Sequence, residues 1–251
     1  MRFSSKMCKC ILTFVLTLII LTGCTQQQID EISDLIAAEI ISNVADENTD
    51  TSSQSTFTSI PKYHGIAADD INEGQPYFTN DDFTTTAYES YSNLDSLHRP
   101  GVAMACLGIE TMPLENEERG EIGMVKPVGW HTVKYPDIIS DLYLYNRCHL
   151  IGWQLSAENA NEQNLITGTR YLNIEGMLPY ENQVATYIRQ TNNHVLYRVT
   201  PIYENDDLLC RGVLIEALSM EDDDICFCVF CHNVQPGITI DYTTGESYKK
   251  G

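Results

Sequence analysis

The chain has 251 residues, of which 43% are hydrophobic, and its 35 acidic against 15 basic side chains give a formal charge of −20. That length suits one domain with appendages, and the hydrophobic content with fourteen Tyr excludes a disordered chain. The acid excess excludes a general basic coat for nucleic acid, but not a local basic site.

The N-terminus reads as an export signal. Arg2, Lys6 and Lys9 form a positive region, an apolar run follows from Ile11 to Leu21, and Leu21-Thr22-Gly23-Cys24 closes it. The run is short for a membrane span of about 20 residues and has the layout of a secretory signal. The small-residue site ending in Cys resembles the lipobox of bacterial lipoproteins, in which the cysteine is acylated and becomes the first residue. Residues 1–23 are thus expected as a signal and Cys24 as the lipidation site, with the protein held at the outer face of the cell membrane. A plain signal or N-terminal anchor is the other reading, and export follows from either.

Residues 24–59 are expected as a tether. Ile29, Ile32, Leu35, Ile36, Ile40 and Ile41 are at helical spacing, and residues 43–59 are rich in Ser, Thr, Asp and Asn, the composition of a flexible spacer. The globular domain is expected over residues 60–251.

Within it, residues 102–109, 129–135 and 141–150 read as strands. Pro179 suits the start of a helix through Val184 and Ile188 that stops at Asn192-Asn193. Strands are expected again at 194–203, 208–218 and 225–234, with Asp206-Asp207 as a hairpin turn. This order predicts an α+β fold with a mixed or antiparallel sheet.

Charge is unevenly spread along the domain. Residues 25–118 carry two basic and eighteen acidic side chains, residues 201–251 three and ten, and residues 119–200 seven of each. A neutral block in an acidic protein is where a polyanion is tolerated; equally, a buried block simply carries fewer charges.

That block holds Tyr145-Asn146-Arg147-Cys148-His149-Leu150-Ile151-Gly152 and, further on, Asn164 through Asn173. Alternation puts Arg147 and His149 on one side of a strand, where an arginine can hold a phosphate beside an imidazole. The run resembles the DNA/RNA non-specific endonucleases of the His-Me finger (ββα-metal) superfamily, in particular their DNA-entry nuclease-like branch. That family carries Asp-Arg-Gly-His on a strand, then a loop and a helix bearing a magnesium-binding Asn. Arg147 and His149 match, while Asn146 replaces the Asp and Cys148 the Gly. Gly129 to Tyr135, Asn164 to Glu181 and Asn233-Val234-Gln235-Pro236-Gly237 extend the likeness over roughly residues 75–245.

The resemblance implies a ββα-metal catalytic core, His149 as general base, Asn173 as ligand to one Mg²⁺ (with Mn²⁺ as a possible substitute), and catalytic places for Arg147, Asn164 and Glu181. It implies hydrolysis of DNA, and also of RNA, to 5′-phosphorylated products. The residue types suit this chemistry: a neutral imidazole accepts a proton from water near neutral pH. A hard cation takes an amide oxygen and keeps its waters, and a neutral ligand leaves its charge for the phosphate. Lys126, Lys134 and Arg170 are the expected phosphate contacts, with Arg189 a further candidate, and such contacts carry no base information. The alternative is a surface lipoprotein without turnover that binds DNA or a partner protein. No specific protein partner can be read from the sequence.

Six cysteines remain beyond Cys24. Cys226, Cys228, Cys231 and His232 invite a zinc reading, but alternation puts Cys231 on the opposite strand face from Cys226 and Cys228. Buried thiols or one disulfide are the other readings.

Overall fold

The computed structural model describes residues 57–251; the expected signal, Cys24 and most of the expected tether lie outside the described residues. Among the described residues no helix is long and apolar enough to cross a membrane.

An antiparallel six-stranded sheet forms one layer. Its strands are β1 (Ala68–Asp70), β2 (Tyr88–Tyr91), β3 (Ala103–Leu107), β6 (Val195–Ile202), β7 (Gly212–Ser219) and β8 (Cys226–His232), in the order β1-β8-β7-β6-β3-β2. A separate hairpin pairs β4 (Tyr145–His149) with β5 (Leu165–Thr169), and a second pairs β9 (Ile238–Ile240) with β10 (Ser247–Lys249). Among the described residues the α-helices are a single turn, α1 (Trp153–Ser156), and the long α2 (Leu178–Thr191). The expected α+β class is observed, and β4, β5 and the following helix make the ββα unit.

Alternation divides the sheet into two working faces. Ala105 of β3, Tyr197 of β6, Ala217 of β7 and Val229 of β8 face the main core, with Val184 and Ile188 of α2 and Cys148 and Ile166 of the β4–β5 hairpin packed against them. Tyr197 is flanked in register by Ala105 and Ala217, so small neighbours make room for a fully buried ring. On the other face Leu214, Cys228 and Phe230 are covered by Phe57, Ile60, Ile71 and Tyr77. Phe57 stacks on Phe230 at 5.6 Å, so packing starts ahead of the expected boundary at residue 60.

Three expectations are corrected. Residues 129–135 form no strand: Gly129 has φ +69, Trp130 N–H closes a turn on the Pro127 carbonyl, and only a bridge between Lys134 and Tyr143 remains. The strand expected from residue 141 starts at Tyr145, because Leu142 has φ +72. The strand expected from residue 208 starts at Gly212. The chain from Tyr203 to Arg211 is an irregular connection in which Asp207 is buried and paired with Arg211. The short strand β5, with glycine near its end, has no period that separates it from a loop.

The helix is longer than its apolar period suggests. A π-helical segment, Leu172–Met177, runs into α2 without a break, and Leu178 N–H donates to the Asn173 carbonyl five residues back. Such π segments recur at functional sites because they turn one side chain out of the helical register. Asn192 ends α2 in the left-handed conformation with φ 56.

The six cysteines of the described residues are free thiols. Cys231 lies in the main core, Cys228 on the opposite sheet face, and no group of three or more His, Cys, Asp or Glu among the described residues is placed to hold a metal ion.

Candidate active site

The β4–β5 hairpin, α1 and the π segment enclose a cavity of about 750 Å³. Among the sequence-derived candidates, Arg147, His149, Arg170, Asn173 and Glu181 line it, together with Asn146, Trp130, Tyr143, Tyr145 and Arg119.

His149 ends β4 and is only 6% exposed. Its Nε2 lies 2.8 Å from the Asn159 carbonyl oxygen. A carbonyl only accepts, so Nε2 carries the hydrogen and Nδ1 is left as the acceptor. Nη2 of Arg119 lies 3.2 Å from that Nδ1 and donates to it. Burial pulls the imidazole down to about 4; the Asn159 carbonyl opposes this, and the Arg119 charge adds to it. The ring is therefore neutral across the physiological range. The other histidines of this region sit elsewhere: His131 bonds the Thr244 carbonyl and His194 pairs with Glu221.

Glu181, one turn into α2, is buried and borders the same cavity. Burial pushes its carboxyl up to about 7, against the lowering effects of the Gln154 side chain and the Arg119 charge. Gly152 makes its position possible: a Cβ there would come within 2.6 Å of the Glu181 carboxylate.

Asn173 reaches the cavity from the π segment, and its side-chain amide has no protein partner among the described residues. Asn146 lines the same cavity and its Oδ1 is buried without a hydrogen-bond partner. A buried, unpaired amide oxygen is costly unless something fills its lone pairs. The two amides therefore fit a hard, oxygen-seeking cation. The Cys148 that replaces the family's glycine is accommodated by Gly168 across the hairpin, where a Cβ would meet its Sγ at 2.3 Å.

Other candidates are placed differently. Asn164 does not line the cavity: it is fully buried, its Oδ1 accepts from Ile151 N–H at 2.9 Å, and its Nδ2 donates to the Ile151 carbonyl at 3.0 Å. Its amide is consumed in clamping the turn after His149, so it holds the end of β4 rather than facing the cavity. Arg147 borders the cavity, yet its Nε donates to the Val125 carbonyl, its Nη2 to the Gly123 carbonyl at 3.0 Å, and its guanidinium lies 4.1 Å from the Trp130 ring centre. It ties the 123–130 loop to β4 instead of standing free for a phosphate. Arg170 is ion-paired with Asp141, Lys134 lies over the Tyr143 ring, and Lys126 borders a separate small cavity. Arg189 is exposed in the last turn of α2, away from the site.

Sequence reasoning missed Arg119. It lies in an irregular polar loop thirty positions before His149, and only its sign, at the edge of the neutral block, could have pointed to it.

Known proteins resemble the chain in sequence and in fold. A deoxyribonuclease of Streptococcus dysgalactiae subsp. equisimilis is 32% identical over 108 residues, 41% of this chain, and the chain spans about a third (32%) of that relative's length. NucA from Streptococcus agalactiae, solved with magnesium bound, matches with a TM-score of 0.62 and 28% identity, covering 72% of this chain and 86% of that one. Sda1 nuclease, solved with a zinc ion, matches with a TM-score of 0.63 and 25% identity over 74% of this chain and 98% of its own. The profile of the DNA/RNA non-specific endonucleases matches residues 79–220, more than half of the sequence, and the chain belongs to that family.

Proposed function

We propose that the protein is a divalent-metal-dependent endonuclease that hydrolyses phosphodiester bonds of DNA, and of RNA, without sequence preference. The observation that carries this reading is His149: a buried, neutral imidazole lining the cavity, whose tautomer a carbonyl fixes so that Nδ1 is left as the acceptor.

In this reading water attacks the phosphorus and gives its proton to Nδ1 of His149 while the P–O3′ bond breaks; the phosphate stays on the 5′ side and the leaving 3′ oxygen takes a proton from solvent. Arg119 now donates to that lone pair; a phosphate in the cavity competes for the guanidinium, freeing the base and placing positive charge where the phosphorane develops its own. Arg170 lines the same cavity, where its guanidinium is ion-paired with Asp141. Asn173, with Asn146, would hold a divalent cation through amide oxygens, with Mg²⁺ suiting them and Mn²⁺ as substitute, and once bound it would supply positive charge to the reacting phosphate. Asn164 and Arg147 position: one clamps the chain beyond the base, the other the loop beside it.

Contacts made by guanidinium and ammonium groups to phosphate carry no sequence information. With −20 charges on the chain, binding is expected to weaken steeply with salt.

The test is incubation of the full chain, kept in detergent, with plasmid DNA and with RNA, in the presence and absence of magnesium. Metal-dependent degradation is expected, and His149→Ala should reduce it by about 10²–10⁴-fold. Intact nucleic acid after exposure to the wild-type chain in magnesium overturns the reading. Attachment at the outer membrane face through acylated Cys24 is part of the same proposal. Wild type should take up labelled fatty acid and Cys24→Ser should not; label in the variant rules that attachment out.

A further inference from the structure

The helix that carries Asn173 is tied down at each of its first three N–H groups. The chain is helical from Arg170 onward, and the first N–H groups of a helix have no partner inside it. Arg170 N–H donates to the Leu144 carbonyl at 2.8 Å, Tyr171 N–H to Oε1 of Gln235 at 3.2 Å and Leu172 N–H to Oγ1 of Thr169 at 2.9 Å. Thr169 is thus the N-cap, its hydroxyl reaching the third helical N–H. The partner of the second comes from a side chain 64 positions away in sequence.

Gln235 is delivered by the residues before it. Asn233, fully buried beyond the end of β8, accepts Thr169 N–H on its Oδ1 at 2.9 Å. Its Nδ2 donates to the carbonyls of Thr167 at 3.2 Å and Cys210 at 2.9 Å. The Val234 carbonyl accepts from the Thr169 hydroxyl at 2.7 Å. The run Asn233-Val234-Gln235 therefore follows the chain from the end of β5 into the helix and joins the β4–β5 hairpin to the large sheet. Asn233 and Thr169 are fully buried, whereas Gln235 is half-buried and reaches the helix start with its side chain.

A fixed start matters because the turn that follows is π-helical, a rare geometry found mostly as single turns. A slip of one residue would rotate each side chain by about 100° around the helix axis. That is enough to take Asn173, two residues beyond Tyr171, out of the cavity wall.

We propose that Gln235, together with the Thr169 cap, is a positioning residue for Asn173: the two fix the helix start so that the Asn173 amide faces the cavity. The proposal rests on the metal-binding reading of Asn173 given above and adds what orients that ligand. Partners of this outer kind set the direction of the groups that touch a metal, and losing one typically weakens metal affinity by about 10–100-fold.

The experiment reads metal affinity, stability and the Asn173 side chain separately, on the full chain in detergent. Mg²⁺ and Mn²⁺ are titrated by calorimetry, and the side-chain amide of Asn173 is followed by NMR of ¹⁵N-asparagine-labelled, metal-free protein, with Asn173→Ala identifying its signals. Gln235→Met keeps the length of the side chain without the acceptor. It should weaken both cations about tenfold, move the Asn173 signals and lower Tm by only about 2–4 °C. Thr169→Val should also weaken the cations, while Thr169→Ser, which keeps the hydroxyl, should restore them to near wild type. Thr191→Val removes a hydroxyl that bonds the Tyr187 carbonyl at the far end of the same helix and should leave metal affinity unchanged. Unmoved Asn173 signals in Gln235→Met overturn the proposal. So does wild-type metal affinity in Gln235→Met where Asn173→Ala has lost it, or an equal loss in Thr191→Val and Thr169→Val. If the Asn173 signals move but Asn173→Ala binds both cations as wild type does, the positioning stands and the metal-ligand reading of Asn173 falls.

Discussion

Nη2 of Arg119 sits 3.2 Å from Nδ1 of His149, so the one ring nitrogen free to take a proton is capped by a cation that a phosphate can draw away. In the proposed reaction, base and electrophile are thus coupled before any substrate arrives. Arg119→Ala should lower kcat/KM on DNA by about 10²–10³-fold, the range seen when one charged or polar donor to a developing oxyanion is lost. The acidic limb of the pH–rate profile should move only slightly upward, since burial, the larger cause of the depressed imidazole, remains. A variant with wild-type kcat/KM assigns Arg119 to packing alone.

Glu181 gives a stability prediction of definite sign. Its carboxyl is raised from 4.5 to about 7 by burial, so the folded state holds a proton that the unfolded chain has already lost between those values. Stability from this group is full below pH 4.5 and is lost as pH rises through 7. Glu181→Gln keeps the shape without the charge. In metal-free protein it should raise stability at pH 8 by roughly 3 kcal/mol, and change it little at pH 4.5. Urea unfolding at the two pH values measures this; an equal effect at both removes the buried-charge explanation.

Asn164 and Asn173 should separate cleanly in the test tube. Asn164→Ala leaves the N–H and carbonyl of buried Ile151 without partners, which costs about 2–4 kcal/mol and should appear as a lower Tm. Asn164→Asp should do no better, because a carboxylate cannot donate to the carbonyl. Divalent-metal affinity by calorimetry should stay near wild type in whatever fraction is folded. A marked loss of metal affinity without loss of Tm would return Asn164 to the metal.

For Asn173→Ala the order reverses: a partly exposed amide with no protein partner costs little stability, while metal affinity falls. Asn146→Asp is the informative companion, because it exchanges an unpaired amide oxygen for a carboxylate in the same wall. Its affinity for Mg²⁺ or Mn²⁺ should rise, as an anionic oxygen attracts a hard cation more strongly than a neutral one. Unchanged calorimetric titrations in both variants would falsify the amide-lined cation site.

The local motifs could be read directly from the sequence. Alternation in the β6, β7 and β8 segments, proline near the start of α2 and asparagine at its end are local signals with local causes. The run from Asn146 to His149 is likewise contiguous, so the strand that bears the proposed base could be picked out without its surroundings. Tertiary structure decided what the sequence writes ambiguously. Two asparagines nine positions apart look alike on paper; one is consumed by a buried turn and the other opens onto a cavity, because only burial distinguishes a spent amide from a free one. Arg147 likewise looked like a phosphate ligand until the 123–130 loop closed over it. Arg119 was invisible, since a polar loop has no period and the chain must fold back thirty residues to bring it to His149. The neutral state of that imidazole is also tertiary in origin: its pKa is set by the water removed around it and by the charge beside it, neither of which is encoded in the four residues of the motif.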